Sequence, residues 1–186
     1  MQPFCHERTV AGLTPVDYAV RPFFLISDGV HPMSRLKFNG TTHQIELVNN
    51  TGNTVGTWAA YNNVDSHATL RHVPNGTYTV QDQAVPHHHT PSANGPYGLH
   101  GIIRFNVPGH PGIGVHSGRA NARHLPGPQH PTMGCIRTSD DAMNEIKALI
   151  RRDALSSVEV VNNSSVSAHA ASIRNRHHHL RGHQDG

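Results

Sequence analysis

Two tight-turn signals dominate the reading of this chain. In Arg35 to Asn62, RLKFNGTTHQIELVNNTGNTVGTWAAYN, an Asn-Gly turn and an Asn-Asn-Thr-Gly turn separate short runs of apolar, β-branched and aromatic residues. Such turns fold each strand back on the one before, so the segment is expected to be an antiparallel meander. VPNGTYTVQD (73–82) adds a Pro-Asn-Gly turn and a further strand. AVPHHHTPSANGP (84–96) reads as a polar, proline-rich loop, and YGLHGIIRFNV (97–107) and GIGVHSG (112–118) as two more strands. Composition agrees with a turn-rich β protein: aromatic residues are 5%, charged residues 15%, and there are 17 glycines and 13 prolines.

The period changes after Cys135. TSDDAMNEIKALIRRDA (138–154) sets Met143, Ile146, Leu149 and Ile150 on one helical face, with acids in the first turn and Arg151 and Arg152 at the end. Thr138 or Ser139 is the expected N-cap, and SVEVV (157–161) returns as a closing strand. The expected fold is therefore mainly β with a single helix. At 186 residues the chain suits one domain with tails. The organisation expected is a segment of mixed signals over residues 1–33, a folded domain over 34–161 and a flexible His/Arg-rich tail over 162–186, whose apolar content is too low to order it.

The net charge is +3 with its 18 histidines neutral, and the basic residues are scattered except near the C-terminus. That balance suits an anionic surface such as a cell-wall polymer, and it makes no demand for nucleic acid. No window approaches the roughly 18 apolar residues of a membrane span, and the first twenty residues lack the basic and apolar blocks of a secretory signal. A target outside the cytoplasm would then be reached by another route. His87, His88 and His89, and again His177, His178 and His179, lie in runs, but no compact metal-binding frame surrounds them, so neither a metal site nor a cofactor is expected.

There are two cysteines, Cys5 and Cys135, too few for a disulfide framework in a chain of this size. Cys5 has no chemical context. Cys135 follows a glycine, and taken alone it would be a small buried hydrophobe. A nucleophilic cysteine needs a cationic or dipolar neighbour, because an ordinary thiol is only a few per cent thiolate at neutral pH. His116, at the end of an expected strand and nineteen positions upstream (135 − 116), is the neighbour of choice. Glycines 114, 118 and 134 would let the two backbones approach, and a backbone N–H near Cys135 would serve a developing oxyanion.

VHSGRA followed by PTMGCIRTS resembles the signature of the L,D-transpeptidases, the YkuD-like cysteine enzymes of bacterial cell-wall metabolism. His116, Ser117, Thr132, Gly134, Cys135, Ile136 and Arg137 fall in the family's order. LKFNGTTHQIELVNNTGNTVGTWAA and VPNGTYTV resemble a subgroup that includes effectors delivered by type VI secretion. The resemblance implies a β-sandwich with one α-helix following the catalytic cysteine. It also implies attack by Cys135 on the L-centre carbonyl of the third residue of a peptidoglycan stem, with His116 as base and then proton donor. Ser117 would orient His116 through its carbonyl and Gly134 would shape the nucleophile loop. Thr132, Met133, Arg137 and His100 would face the substrate, Arg137 as a carboxylate clamp. Met133 stands where the family usually has histidine. The implied partners are stem peptides and, for an effector, an immunity protein and secretion machinery.

Other readings stay open at this level. Arg137 is equally a surface ion-pair partner, and for His100 a strand histidine bonded to backbone is the preferred account over a site residue. A papain-like or NlpC-type peptidase is disfavoured, because it places its nucleophile before its histidine. The remaining rival is a catalytically inactive wall-binding or metal-binding module, which a depressed Cys135 pKa would separate from an enzyme.

Overall fold

The computed structural model describes residues 33–164. The readings made for Cys5, for residues 1–32 and for 165–186 with His177 to His179 lie outside the described residues. Eight strands and one α-helix follow in the order β1 (Ser34–Asn39), β2 (Gln44–Val48), β3 (Thr54–Tyr61), β4 (Gly76–Thr79), β5 (Ile102–Arg104), β6 (Gly114–His116), β7 (Ile136–Thr138), α1 (Asp140–Ile150) and β8 (Leu155–Val161). Mainly β, with the helix after Cys135, is what the residue pattern led one to expect.

The first three strands form the expected meander. Asn39 closes the first turn, its side-chain oxygen accepting from the N–H groups of Thr41 (3.0 Å) and Thr42 (3.3 Å), and Asn49 closes the second through Thr51 and Asn53 (3.0 and 2.9 Å). The register pairs Leu36 with Leu47 and Phe38 with Ile45, so the period of two puts these four residues in the core. Beyond β3 the meander stops. β4 pairs with β8, and β8 lies between β4 and β1, parallel to β1, in the order β4-β8-β1-β2-β3-β7-β6-β5. The expected closing strand is thus an internal one, an arrangement that local periodicity has no means of encoding.

The two halves of the implied sandwich are one curled sheet joined through β3, and its ends meet. Val80 and Phe105 form an isolated antiparallel bridge, with Gln81 N–H donating to the Arg104 carbonyl (2.9 Å) and Asn106 N–H to the Thr79 carbonyl (3.0 Å). Arg104 clamps this seam through a two-pronged pair with Asp82, both bonds at 2.9 Å. Two expected strands are shorter than the sequence suggested. His100 sits in a turn before β5, because the chain bends at Gly98 and Gly101, both at positive φ (69° and 79°).

Inside the curl, Phe38, Ile45, Ile103, Phe105, Ile136, Leu155 and Val158 are buried together with Met143, Ile146 and Ile150 of α1. Each such side chain contributes about 1.5–3 kcal/mol relative to exposure. Ser139 is the N-cap, its hydroxyl accepting from Ala142 N–H at 3.0 Å, with Asp140 and Asp141 favourable to the helix dipole. Arg151 is the C-cap rather than a last-turn residue. Among the described residues no helix is long and apolar enough to cross a membrane.

Candidate active site

The parallel pairing of β6 with β7 aligns the segments that carry His116 and Cys135. Val115 is registered with Ile136 and His116 with Arg137. Alternation along the strands puts His116, Arg137 and Cys135, which immediately precedes β7, on one side of the sheet, with Val115 and Ile136 on the other. Backbone pairing therefore sets His116 opposite Arg137, two residues after Cys135. Cys135 is free and buried, with Sγ 3.9 Å from the Gly112 carbonyl on the loop leading into β6.

The loop before Cys135 is held from two directions. Thr132 donates its hydroxyl to the Cys135 carbonyl (2.7 Å) and accepts from Gly134 N–H (3.1 Å). Gly134 lies at φ +124°, and a Cβ there would press on the side chains of Ile113 and Leu70 at 3.0 and 3.2 Å. From the other side Asn62, just past β3, donates to the carbonyls of both Gly134 and Cys135 at 2.9 Å. Asn63 extends this support, its amide donating to the Gln129 carbonyl (2.8 Å) and its carbonyl accepting from Thr132 N–H (2.9 Å). Thr132, expected to face substrate, is buried with its hydroxyl turned into the loop itself.

The Ser117 carbonyl is the point on which His116 and Arg137 converge. It lies 2.8 Å from His116 Nδ1 and accepts from Arg137 Nη1 at 3.0 Å. A carbonyl only accepts, so Nδ1 carries the proton and Nε2 keeps the lone pair. Ser117 is itself locked: its hydroxyl donates to Asp140 Oδ1 (2.6 Å), which also accepts from Leu99 N–H (2.8 Å). A Cβ on Gly98 would collide with both the Ser117 hydroxyl and Asp140, so the strap over residues 92–100 closes down only because this position has no side chain. Tyr97 on that strap lies edge-on to the His116 ring (5.2 Å between centroids) and stacks on His89 (3.9 Å).

Arg137 is neither a surface ion-pair partner nor an open clamp. It is 3% exposed, Nη1 also donates to the Pro96 carbonyl (3.3 Å), and Nε is buried without a partner. Burial, then the charge of Arg119, brings its pKa down to about 10, so it stays a cation at neutral pH. The same burial pushes the Cys135 thiol up, against a backbone bond from Gly114 and the charge of Arg137 that pull it down. Burial, with Arg137 next, lowers His116 to about 4. The depressed Cys135 pKa that would mark an enzyme is not found; burial favours the neutral forms of both Cys135 and His116. A raised thiol pKa no longer tells an enzyme from a binding module, because a neutral imidazole can remove the thiol proton during attack.

The remaining expected site residues are more peripheral. Met133 is 60% exposed on the nucleophile loop. His100 is half-buried in its turn. The His87 to His89 run is anchored rather than loose: His87 N–H and C=O both pair with Ile102 (2.8 and 3.1 Å), and His89 stacks on Tyr97. No group of three metal-ligating side chains occurs among the described residues. Sequence reasoning missed Asn62, Tyr97 and Asp140. Asn62 reads as an ordinary turn residue and Asp140 as a first-turn acid, and nothing local marks either as reaching the site.

The fold thus sets a cysteine, Cys135, and a histidine, His116, on one face of a curled sheet. The family model of the L,D-transpeptidase catalytic domain, YkuD, matches residues 34–160, and the chain belongs to that family. Among solved structures, Bd1075 of Bdellovibrio bacteriovorus is similar at 12% identity with a TM-score of 0.54, covering 79% of this chain and 56% of that one. The helical cell shape determining protein Pgp2 of Campylobacter jejuni is similar at 11% identity with a TM-score of 0.52, covering 73% and 52%. An L,D-transpeptidase of Stackebrandtia nassauensis aligns at 15% identity with a TM-score of 0.48, covering 72% and 57%. The chain thus spans little more than half the length of these proteins. No curated protein matches it.

Proposed function

We propose that this domain acts on peptidoglycan stem tetrapeptides through a thioester on Cys135. The observation that carries the reading is the β6–β7 pairing, which sets a tautomer-locked His116 on the same sheet face as Cys135. His116 Nε2 takes the thiol proton as Sγ attacks the carbonyl of the third stem residue, and the Cys135 N–H receives the oxyanion. Collapse breaks the bond to the terminal D-amino acid, whose amine leaves with the proton from His116. An acceptor amine then gives a crosslink or exchange product, and water gives an L,D-carboxypeptidase product. General base catalysis of this kind supplies about 10²–10⁴ in rate. Arg137, buried beside the nucleophile, lowers the energy of the negative charge that passes through it. Met133 and His100 contact substrate from the rim.

A secreted antibacterial effector, delivered by a type VI route and neutralised by an immunity protein, fits the resemblance of the turn-bearing strands to that subgroup. Purified disaccharide tetrapeptide incubated with wild type, Cys135→Ala and His116→Ala tests the chemistry. Wild type is expected to release the terminal D-amino acid, Cys135→Ala to release none, and His116→Ala to be slower by at least about 10². Equal turnover by wild type and Cys135→Ala sinks the proposal. Expression in the periplasm tests the effector role: wild type is toxic there and Cys135→Ala harmless if it holds.

A further inference from the structure

We infer that Asn62 is a positioning residue for acyl transfer, holding the Gly134 carbonyl so that the Cys135 N–H, at the other end of the same peptide unit, faces the oxygen of the carbonyl under attack. The inference rests on the reading of Cys135 as the nucleophile. A trans peptide unit is rigid and planar, with its C=O and N–H pointing opposite ways, and the described chain has no cis bond. Fixing the Gly134 oxygen therefore fixes the direction of the Cys135 N–H. The Gly134 N–H is turned inward onto the Thr132 hydroxyl, and the β7 ladder begins only at Ile136. Opposite the carbonyl that Asn62 holds, the Cys135 N–H is the loop donor this inference assigns to the oxyanion.

The Asn62 amide is held as firmly as a side chain can be. It has two N–H donors and two acceptor positions. The donors go to the carbonyls of Gly134 and Cys135 at 2.9 Å, and the oxygen accepts from Val73 N–H (2.8 Å) and Asn163 Nδ2 (2.9 Å). Asn163, at the end of β8, is fixed in turn: its side chain donates to the Val73 carbonyl (2.8 Å) and its N–H to the Asn75 side chain (2.9 Å). A turn asparagine bonds within a few residues of itself. Asn62 instead reaches 72 and 73 residues forward to the nucleophile loop and 101 residues to Asn163, and it is 4% exposed. Accepting its bond also polarises the Gly134 to Cys135 peptide unit and strengthens that N–H as a donor.

The test compares two reactions of the same thiol in the full chain. Attack on the tetrapeptide carbonyl develops an oxyanion, whereas displacement of iodide from iodoacetamide does not. Asn62→Ala is expected to lower kcat for acylation by disaccharide tetrapeptide roughly tenfold to a hundredfold, less than outright loss of an oxyanion donor. KM and the alkylation rate of Cys135 stay within about twofold if the thiol and its base are undisturbed. Parallel loss of acylation and alkylation, or loss of neither, overturns the inference. Should Asn62→Ala not fold, Asn163→Ala, which leaves both Asn62 donors and its bond from Val73 N–H in place but removes the second bond to its oxygen, is expected to show the same split at a smaller size. Equal acylation by that variant and wild type overturns it too. A wild type that alkylates yet never acylates removes the nucleophile reading itself, and this inference with it.

Discussion

At the scale of single residues the site is governed by burial. Burial favours the neutral forms of Cys135 and His116, and in the proposed reaction the proton moves only as Sγ attacks the substrate carbonyl. With His116 at about 4, kcat/KM on the free enzyme is expected to rise with pH through that value rather than through the 6.5 of an exposed imidazole. A pH–rate profile with its acid limb near 6.5 would contradict the buried, neutral base. Alkylation of Cys135 should grow steadily toward alkaline pH, because its thiol lies above the ordinary range. Arg137 makes a second case. A cation buried without a carboxylate partner keeps an uncompensated desolvation cost, which an apolar replacement of similar length removes. Arg137→Met should therefore melt no lower than wild type while acylating more slowly. A lower melting temperature with unchanged acylation would show that Arg137 serves the fold instead of the site.

The elements carry the site because each ends where chemistry begins. β6 ends at His116, β7 starts one residue after Cys135, and α1 starts at Asp140, which holds the Ser117 hydroxyl. Ser139→Ala removes the cap and is expected to cost about 1 kcal/mol in a denaturant titration. Gly134→Ala must strain a backbone at φ +124° and press on Ile113, so it should abolish acylation even where the protein still folds. Retained activity in that variant would mean the loop tolerates another path. These elements differ in how plainly the residues announce them. The meander, α1 with its Ser139 cap and the His116 to Cys135 frame all rest on local signals: turn pairs, periodicity and motif order. The internal place of β8, the seam between Val80 and Phe105, and the reach of Asn62 to Asn163 rest on contacts between distant segments, which no local pattern encodes. Asn163 illustrates the limit. The polar run from residue 162 reads as the beginning of a tail, yet Asn163 is 9% exposed and hydrogen-bonded into the fold.

For the molecule as a whole, the same buried groups set the response to acid. His116 binds its proton at 6.5 in the unfolded chain and at about 4 in the fold, so between these values the unfolded chain holds more protons and stability falls as the pH falls. The full interval is worth about 3 kcal/mol at 1.36 kcal/mol per pKa unit. Asp82 works in the same direction: burial pushes its carboxyl up, but the bonds and charge of Arg104 outweigh that and hold it low. Its contribution is present above the ordinary value of 3.8 and disappears as pH falls through the folded one. Urea midpoints should therefore drop from pH 6.5 toward 4, and His116→Gln should flatten that decline; an unchanged slope would place the acid sensitivity elsewhere. The central claim is that Cys135 becomes acylated by a stem peptide. Its most direct test is the intact mass of the protein trapped during turnover of disaccharide tetrapeptide. The expected gain equals the tripeptide-bearing disaccharide less one water, located on Cys135 and absent from Cys135→Ala. Turnover with no adduct under rapid quenching, or an adduct that persists in Cys135→Ala, would contradict it.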